Sequence, residues 1–170
     1  PDTLHARKRR KARATIVSAA FQLFAEHGFD NVTVAAIAER AEVGRTTFFR
    51  YFGDKQQVLF ADDSAEVDRM CSYVRERADL KPGTDLGDAL ALLREAATAS
   101  GPTALSPAHS AVLVRLLRES IDLRSRYLLT RQQRALRLAG ALTEAGTAEN
   151  VAVLAAHTAM ACDLTAMRLA

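Results

Sequence analysis

Tryptophan is absent from these 170 residues and cysteine occurs only twice. Cys71 and Cys162 lie far apart inside apolar stretches, with no CxxC or His/Cys ligand spacing around them, so neither a disulfide framework nor a zinc site is expected. They read as small buried hydrophobes. No apolar run reaches the roughly 18 residues that span a bilayer, and no secretory leader is recognisable. No membrane partner is expected, and the expected location is cytoplasmic. The glycine-rich phosphate loops, the HExxH and GxSxG patterns and paired-carboxylate motifs are missing too. His5, His27, His109 and His157 are scattered singly. The chain is therefore expected to have no catalytic residues, no metal and no cofactor.

What is present is an ordinary globular composition, 49% hydrophobic and 25% charged, enough to bury a core. The net charge of +3 is unevenly spread. Residues 1–55 hold ten Lys/Arg against six Asp/Glu, a net of +4, which leaves about −1 for the remainder. Six of those cations, Arg7, Lys8, Arg9, Arg10, Lys11 and Arg13, form a basic tail at the start. Positive charge gathered in one segment suits phosphate neutralisation.

The most informative stretch is Thr33–Lys55, TVAAIAERAEVGRTTFFRYFGDK. Thr33 is a good N-cap, Val32 can staple onto Ile37, and Val34, Ile37, Ala38 and Ala41 share a helical face. After a turn through Ala41–Gly44, a second short helix carries Phe48 and Phe52 inward at i, i+4. It presents Arg45, Thr46, Thr47, Phe49 and Arg50 outward. Two helices around so tight a turn predict a helix-turn-helix, whose second helix can enter a DNA major groove. Upstream, Ile16, Val17, Ala20, Phe21 and Phe24 form the stripe of a scaffold helix closed by Gly28. Downstream, Asp54 with Gln57 is a capping-box pattern that opens a fourth helix, read as continuous to about Ala78.

The run Val43-Gly44-Arg45-Thr46-Thr47-Phe48-Phe49-Arg50-Tyr51-Phe52-Gly53-Asp54-Lys55, with its FQLFAEHGFDNVTVAAIAERAEVG lead-in, resembles the signature of the tetracycline-repressor (TetR) family of bacterial transcriptional regulators. The likeness covers residues 7–60. Phe49 stands where that family usually carries tyrosine, and Gly44 where it often carries serine. The resemblance implies an all-α protein with a three-helix DNA-binding domain over 1–53 and a helical ligand-binding and dimerisation domain over 54–170. It implies a homodimer on a palindromic double-stranded DNA operator, most often as a repressor relieved by a small-molecule effector. Arg45, Thr46, Thr47 and Arg50 would then face the major groove, while Thr33, Tyr51 and Lys55 would hold phosphates. The rival expectation is a ligand-sequestering or protein-interaction module that keeps the fold without reading DNA.

Past residue 55, Lys81-Pro82-Gly83, Gly101-Pro102 and Pro107 break the pattern into helices. One is opened by Thr84 or Asp85, one resumes from Ser106, one runs from Ile121 to Leu142, and a nearly all-apolar one runs from Ala148 to Ala170. On the third of these, Arg124, Arg126, Arg131, Arg134 and Arg137 are expected on the solvent face and Leu128, Leu129, Leu136, Leu138 and Leu142 opposite. The effector pocket that the resemblance implies would draw on Met70, Cys71, Tyr73, Val74, Leu90, Leu93, Arg94, Val114, Leu117 and Tyr127.

Overall fold

A computed structural model describes residues 4–77, 84–101 and 106–169, with side chains for all of these but 4–6, 10, 61–65, 107 and 163–169. Among the described residues every regular element is helical: α1 (Leu4–His27), α2 (Val34–Arg40), α3 (Arg45–Tyr51), α4 (Lys55–Leu59), α5 (Ala61–Glu76), α6 (Leu86–Ala99), α7 (Pro107–Glu119), α8 (Ile121–Glu144) and α9 (Glu149–Leu169). The predicted break at Lys81-Pro82-Gly83, the fourth helix's end at Ala78 and the side chains of Ala65, Leu164, Met167 and Leu169 lie outside what is described.

Most helix starts carry side-chain caps. The carboxylates of Asp54 and Asp85 accept from Gln57 N and Asp88 N, and the hydroxyls of Ser106 and Ser120 accept from His109 N and Leu123 N. Gly28 and Gly146 end α1 and α8 at φ +75° and +107°, conformations that a Cβ would strain.

The chain folds around two cores. In one, Ile16, Phe21, Phe24, Ile37, Phe48, Phe52, Leu59 and Phe60 from α1–α4 and the α4–α5 junction pack with Leu113 and Leu116 of α7 and Leu123 and Tyr127 of α8. The other joins α5, α6, the second half of α8, and α9. The packing therefore does not divide at residue 53: the first core is closed by residues more than fifty positions downstream, and α8 belongs to both.

Four expectations are corrected. The predicted basic tail is helical from Leu4, the opening turns of α1. The fourth helix is not continuous but is interrupted at Phe60 (φ −113°, ψ 14°). Val58, Leu59 and Phe60, on either side of the break, are all buried. The break turns Phe60 inward against Tyr127, at 5.6 Å between ring centroids.

The third correction concerns α8. Arg131 and Arg134 are only 7% and 6% exposed, whereas Leu128, Leu129 and Leu136 are more than half exposed. Tyr127, Arg131 and Arg134 share one face at i, i+4, i+7, so the guanidiniums go inward with it. There Arg131 donates to the Tyr127 hydroxyl at 3.1 Å and Arg134 to the Phe60 carbonyl at 3.3 Å. Among the described side chains of α9, Ala152, Ala155 and Ala156 are buried, Val151, Val153, Ala159 and Met160 are partly buried against the same core, and Leu154 is exposed. Cys71 is buried, which pushes its thiol pKa up, while Cys162 is exposed, contrary to expectation.

Candidate nucleic-acid interface

The α2–α3 unit is built locally. The Thr33 hydroxyl accepts from Ala36 N at 3.1 Å, and as a hydroxyl it keeps a proton to donate outward. Past α2, Glu42 N donates to the Glu39 carbonyl and Val43 N to the Ala38 carbonyl, the pair of bonds that closes a helix through a left-handed residue. That residue is Glu42 (φ 54°), not Gly44, which sits in extended conformation as the N-cap of α3 without a side-chain cap. α3 is then pinned from below by Phe48 and Phe52, both buried and 5.6 Å apart.

With that face fixed, Arg45, Thr46, Phe49 and Arg50 are exposed and fall at i, i+1, i+4, i+5, on one side of the helix. Thr47 is half-buried at its edge. Phe49, 50% exposed, rests edge-on against Phe48 at 5.5 Å, an aromatic ring held in water with no hydroxyl of its own. Tyr51 is half-buried at the end of α3, with the Arg50 guanidinium 5.4 Å from its ring. Arg7, Lys8, Arg9 and Lys11 are exposed on the first turns of α1. Arg13 leaves that set: it is half-buried and lies 5.4 Å over the Phe52 ring.

Lys55 also departs from expectation. Its ammonium donates to the carbonyls of Phe29 (2.8 Å), Val32 (3.0 Å) and Asp30 (3.4 Å) and sits 4.3 Å over the Phe29 ring. Three N–H groups meet three carbonyls, so the cation locks the α1–α2 loop instead of standing ready for a phosphate. Arg40 is engaged as well, reaching both Glu26 oxygens at 3.3 and 3.1 Å. Those hydrogen bonds hold the Glu26 carboxyl below its ordinary pKa.

Two further arginines, Arg126, expected on a solvent face, and Arg115, tie this unit to the rest of the chain. Arg126 of α8 donates to the Asp54 carboxylate at 3.0 Å and to the Gln56 amide oxygen, gripping α4 at its N-cap. Arg115 of α7 donates to the Phe24 carbonyl at 3.1 Å, at the end of α1. Nothing in an arginine on an amphipathic helix distinguishes such a tether from a solvated charge, because the partners lie some seventy to ninety positions away.

The ten residues expected to line an effector pocket are not brought together. Met70, Cys71, Val74 and Leu93 are buried in the second core with Tyr73 and Leu90 packed beside them, Tyr127 and Leu117 belong to the first core, and Arg94 is exposed. Val114 is half-buried. The alanines of the second core fill it: Ala89, Ala141, Ala152, Ala155 and Ala156 are wholly inaccessible, so no water-sized void touches them. Among the described residues no group of three or more His, Cys, Asp or Glu side chains could hold a metal ion, and no helix is long and apolar enough to cross a membrane.

Residues 16–61 match the family described as "Bacterial regulatory proteins, tetR family". Over 62 residues the chain is 40% identical to the HTH-type transcriptional regulator TcmR of Streptomyces glaucescens, covering 36% of this chain and 27% of that protein. Over 65 residues it is 34% identical to the HTH-type transcriptional repressor AcnR of Corynebacterium glutamicum, covering 38% of this chain and 35% of that protein. The match thus spans about a third or less of the length of these curated relatives. The crystal structure of the TetR-family regulator PfmR from Thermus thermophilus aligns with 90% of this chain and 84% of its own, at TM-score 0.45 and 17% identity.

Proposed function

We propose that this chain, whose residues 16–61 match the tetR family of bacterial regulatory proteins, is a sequence-specific DNA-binding transcriptional regulator, a homodimeric repressor relieved by a small molecule. The observation that carries this reading is the single exposed face of α3, with Arg45, Thr46, Phe49 and Arg50 anchored on the buried pair Phe48 and Phe52. A face of that width fits a major groove. There an arginine pairs bidentately with guanine, and the Thr46 methyl and Phe49 ring meet thymine methyls. Thr47 lies at the margin of this contact. Thr33, Tyr51 and the exposed cations of α1 supply backbone contacts that set register without reading sequence. Lys55 serves the scaffold.

Two-fold symmetry follows from dimerisation. Among the described residues the large apolar side chains left at the surface beyond Phe49 are Ile121, Leu128, Leu129 and Leu136 on α8 and Leu154 on α9, and burying them against a second copy supports self-association through these helices. Two recognition helices would then read half-sites about 34–36 Å apart. An effector relieves repression only if it binds the DNA-incompetent arrangement more tightly. The cytoplasm is the compartment where such a regulator works, and no catalytic role is proposed.

The test is base preference. Arg45→Ala and Arg50→Ala are each expected to relax discrimination at one position of the bound site by about 1–3 kcal/mol, with little change elsewhere in the site. Unchanged preference in both variants would remove α3 from the interface.

A further inference from the structure

The head of the molecule, α1–α4, continues into the body through one covalent junction, and that junction is not a rigid rod. The backbone leaves helical geometry at Phe60, between α4 and α5, so α5 alone does not hold α3 at a fixed angle. α8 supplies what the break removes. Arg126 reaches the N-cap of α4, donating to the Asp54 carboxylate at 3.0 Å and to the Gln56 amide oxygen. About two turns further along α8, Arg134 donates to the Phe60 carbonyl at 3.3 Å, and Tyr127 sets its ring against that of Phe60. α4 is thus held to α8 at both ends. The apolar contacts of the first core are non-directional and tolerate rotation, whereas a planar guanidinium shared between a carboxylate and an amide fixes an angle. Arg126 applies that constraint just beyond Phe52, the inner anchor of α3.

We propose that Arg126 is the positioning residue of the recognition head. Through Asp54 and Gln56 it fixes the angle of α3 to α8, and in the dimer it thereby sets which half-site spacing the protein accepts. Its side chain is 37% exposed and that of Asp54 44%, so the pair adds little to stability. Its effect falls on geometry. One added base pair moves a half-site by about 3.4 Å and turns it by about 35° around the duplex. A head clamped to α8 does not follow that movement; a head held only by apolar packing turns toward it. The clamp stands on its own contacts, and its consequence for spacing rests on the dimeric DNA reading proposed above.

Two readouts separate these parts. The clamp is read without DNA, as the distance distribution between spin labels at Thr46→Cys on α3 and Thr143→Cys on α8, both exposed positions. The labelled chain carries Cys71→Ala and Cys162→Ser and is diluted with unlabelled chain, so that only pairs within one copy are seen. Arg126→Gln is expected to broaden that distribution about two-fold, and so is Asp54→Ser, which keeps an N-cap hydroxyl. The double variant is expected to go no further, because both changes remove the same contact. An unchanged width in Arg126→Gln, or additive broadening in the double variant, overturns the clamp. Spacing is read with unlabelled chain on palindromes whose half-sites differ in separation by one base pair. The parent is expected to favour one spacing about ten-fold and Arg126→Gln less than about three-fold, with base preference inside each half-site unchanged. Broadened labels with the full spacing preference retained would overturn the role of Arg126 in spacing. A parent that binds no palindrome would overturn the regulatory reading, while the labels alone decide the clamp.

Discussion

The two cores that meet along α8 are made of different material. The core under the recognition helix buries Phe21, Phe24, Phe48, Phe52, Phe60 and Tyr127. Among the described residues the other buries nine alanines, including Ala89, Ala139, Ala152 and Ala155, and no aromatic ring. Each buried aromatic side chain removes some 150–250 Å² from water and adds specific ring contacts, whereas an alanine methyl contributes under about 1 kcal/mol. The first core therefore fixes α3 through large interlocking shapes. The second lets helices approach closely, at small gain per residue. Alanine in a helical body signals close packing here, not room for a ligand.

The contrast can be broken by mutation. Phe48→Ala should cost the most, about 3–5 kcal/mol in urea unfolding, because it removes a ring that touches both the α3 anchor and the exposed Phe49. A loss near that of a single methylene would mean the aromatic core is not tightly packed. Ala155→Leu should then cost about 1–3 kcal/mol by overpacking the second core. A neutral or stabilising result would reveal unfilled space there and restore the interior effector pocket. Lys55→Met should lose about 1–2 kcal/mol of stability with no change in the salt dependence of DNA binding, since its donors are spent on carbonyls. A salt slope lower by about one would return Lys55 to the phosphate contacts.

The smallest expected effect is at Glu26. Its carboxyl is held below its ordinary pKa in the folded state, so its contribution is present above the unfolded pKa and disappears as pH falls through the folded one. In Arg40→Gln, acidification through the carboxylate range should lower Tm slightly less than in the parent chain. An identical pH profile would show that the pair is thermodynamically silent.

The recognition head was legible from sequence because its determinants are local. Thr33, Asp54 and Gly28 cap within three or four residues, and Phe48 and Phe52 declare their face by spacing alone. The body was legible only as helices. Arg131 and Arg134 look like surface charges until Tyr127 and the Phe60 carbonyl receive them, and the break at Phe60 depends on what α8 offers it. The same limit applies to the residues expected to line an effector pocket: Met70 and Tyr127 lie on helices that look equally apolar yet serve different cores. The hydrogen bonds of Lys55 were hidden because the carbonyls it meets sit 23–26 positions earlier, in a loop whose path no pattern reveals.

The central claim is that α3 reads DNA sequence in a two-fold arrangement. Its most direct test is selection of bound sequences from a random DNA pool by the full chain at about physiological salt. The predicted result is enrichment of a palindrome whose half-sites lie about one helical turn, or a multiple of it, apart. Uniform binding across the pool that vanishes with a modest rise in salt would contradict it, leaving only the electrostatic contribution of the α1 cations.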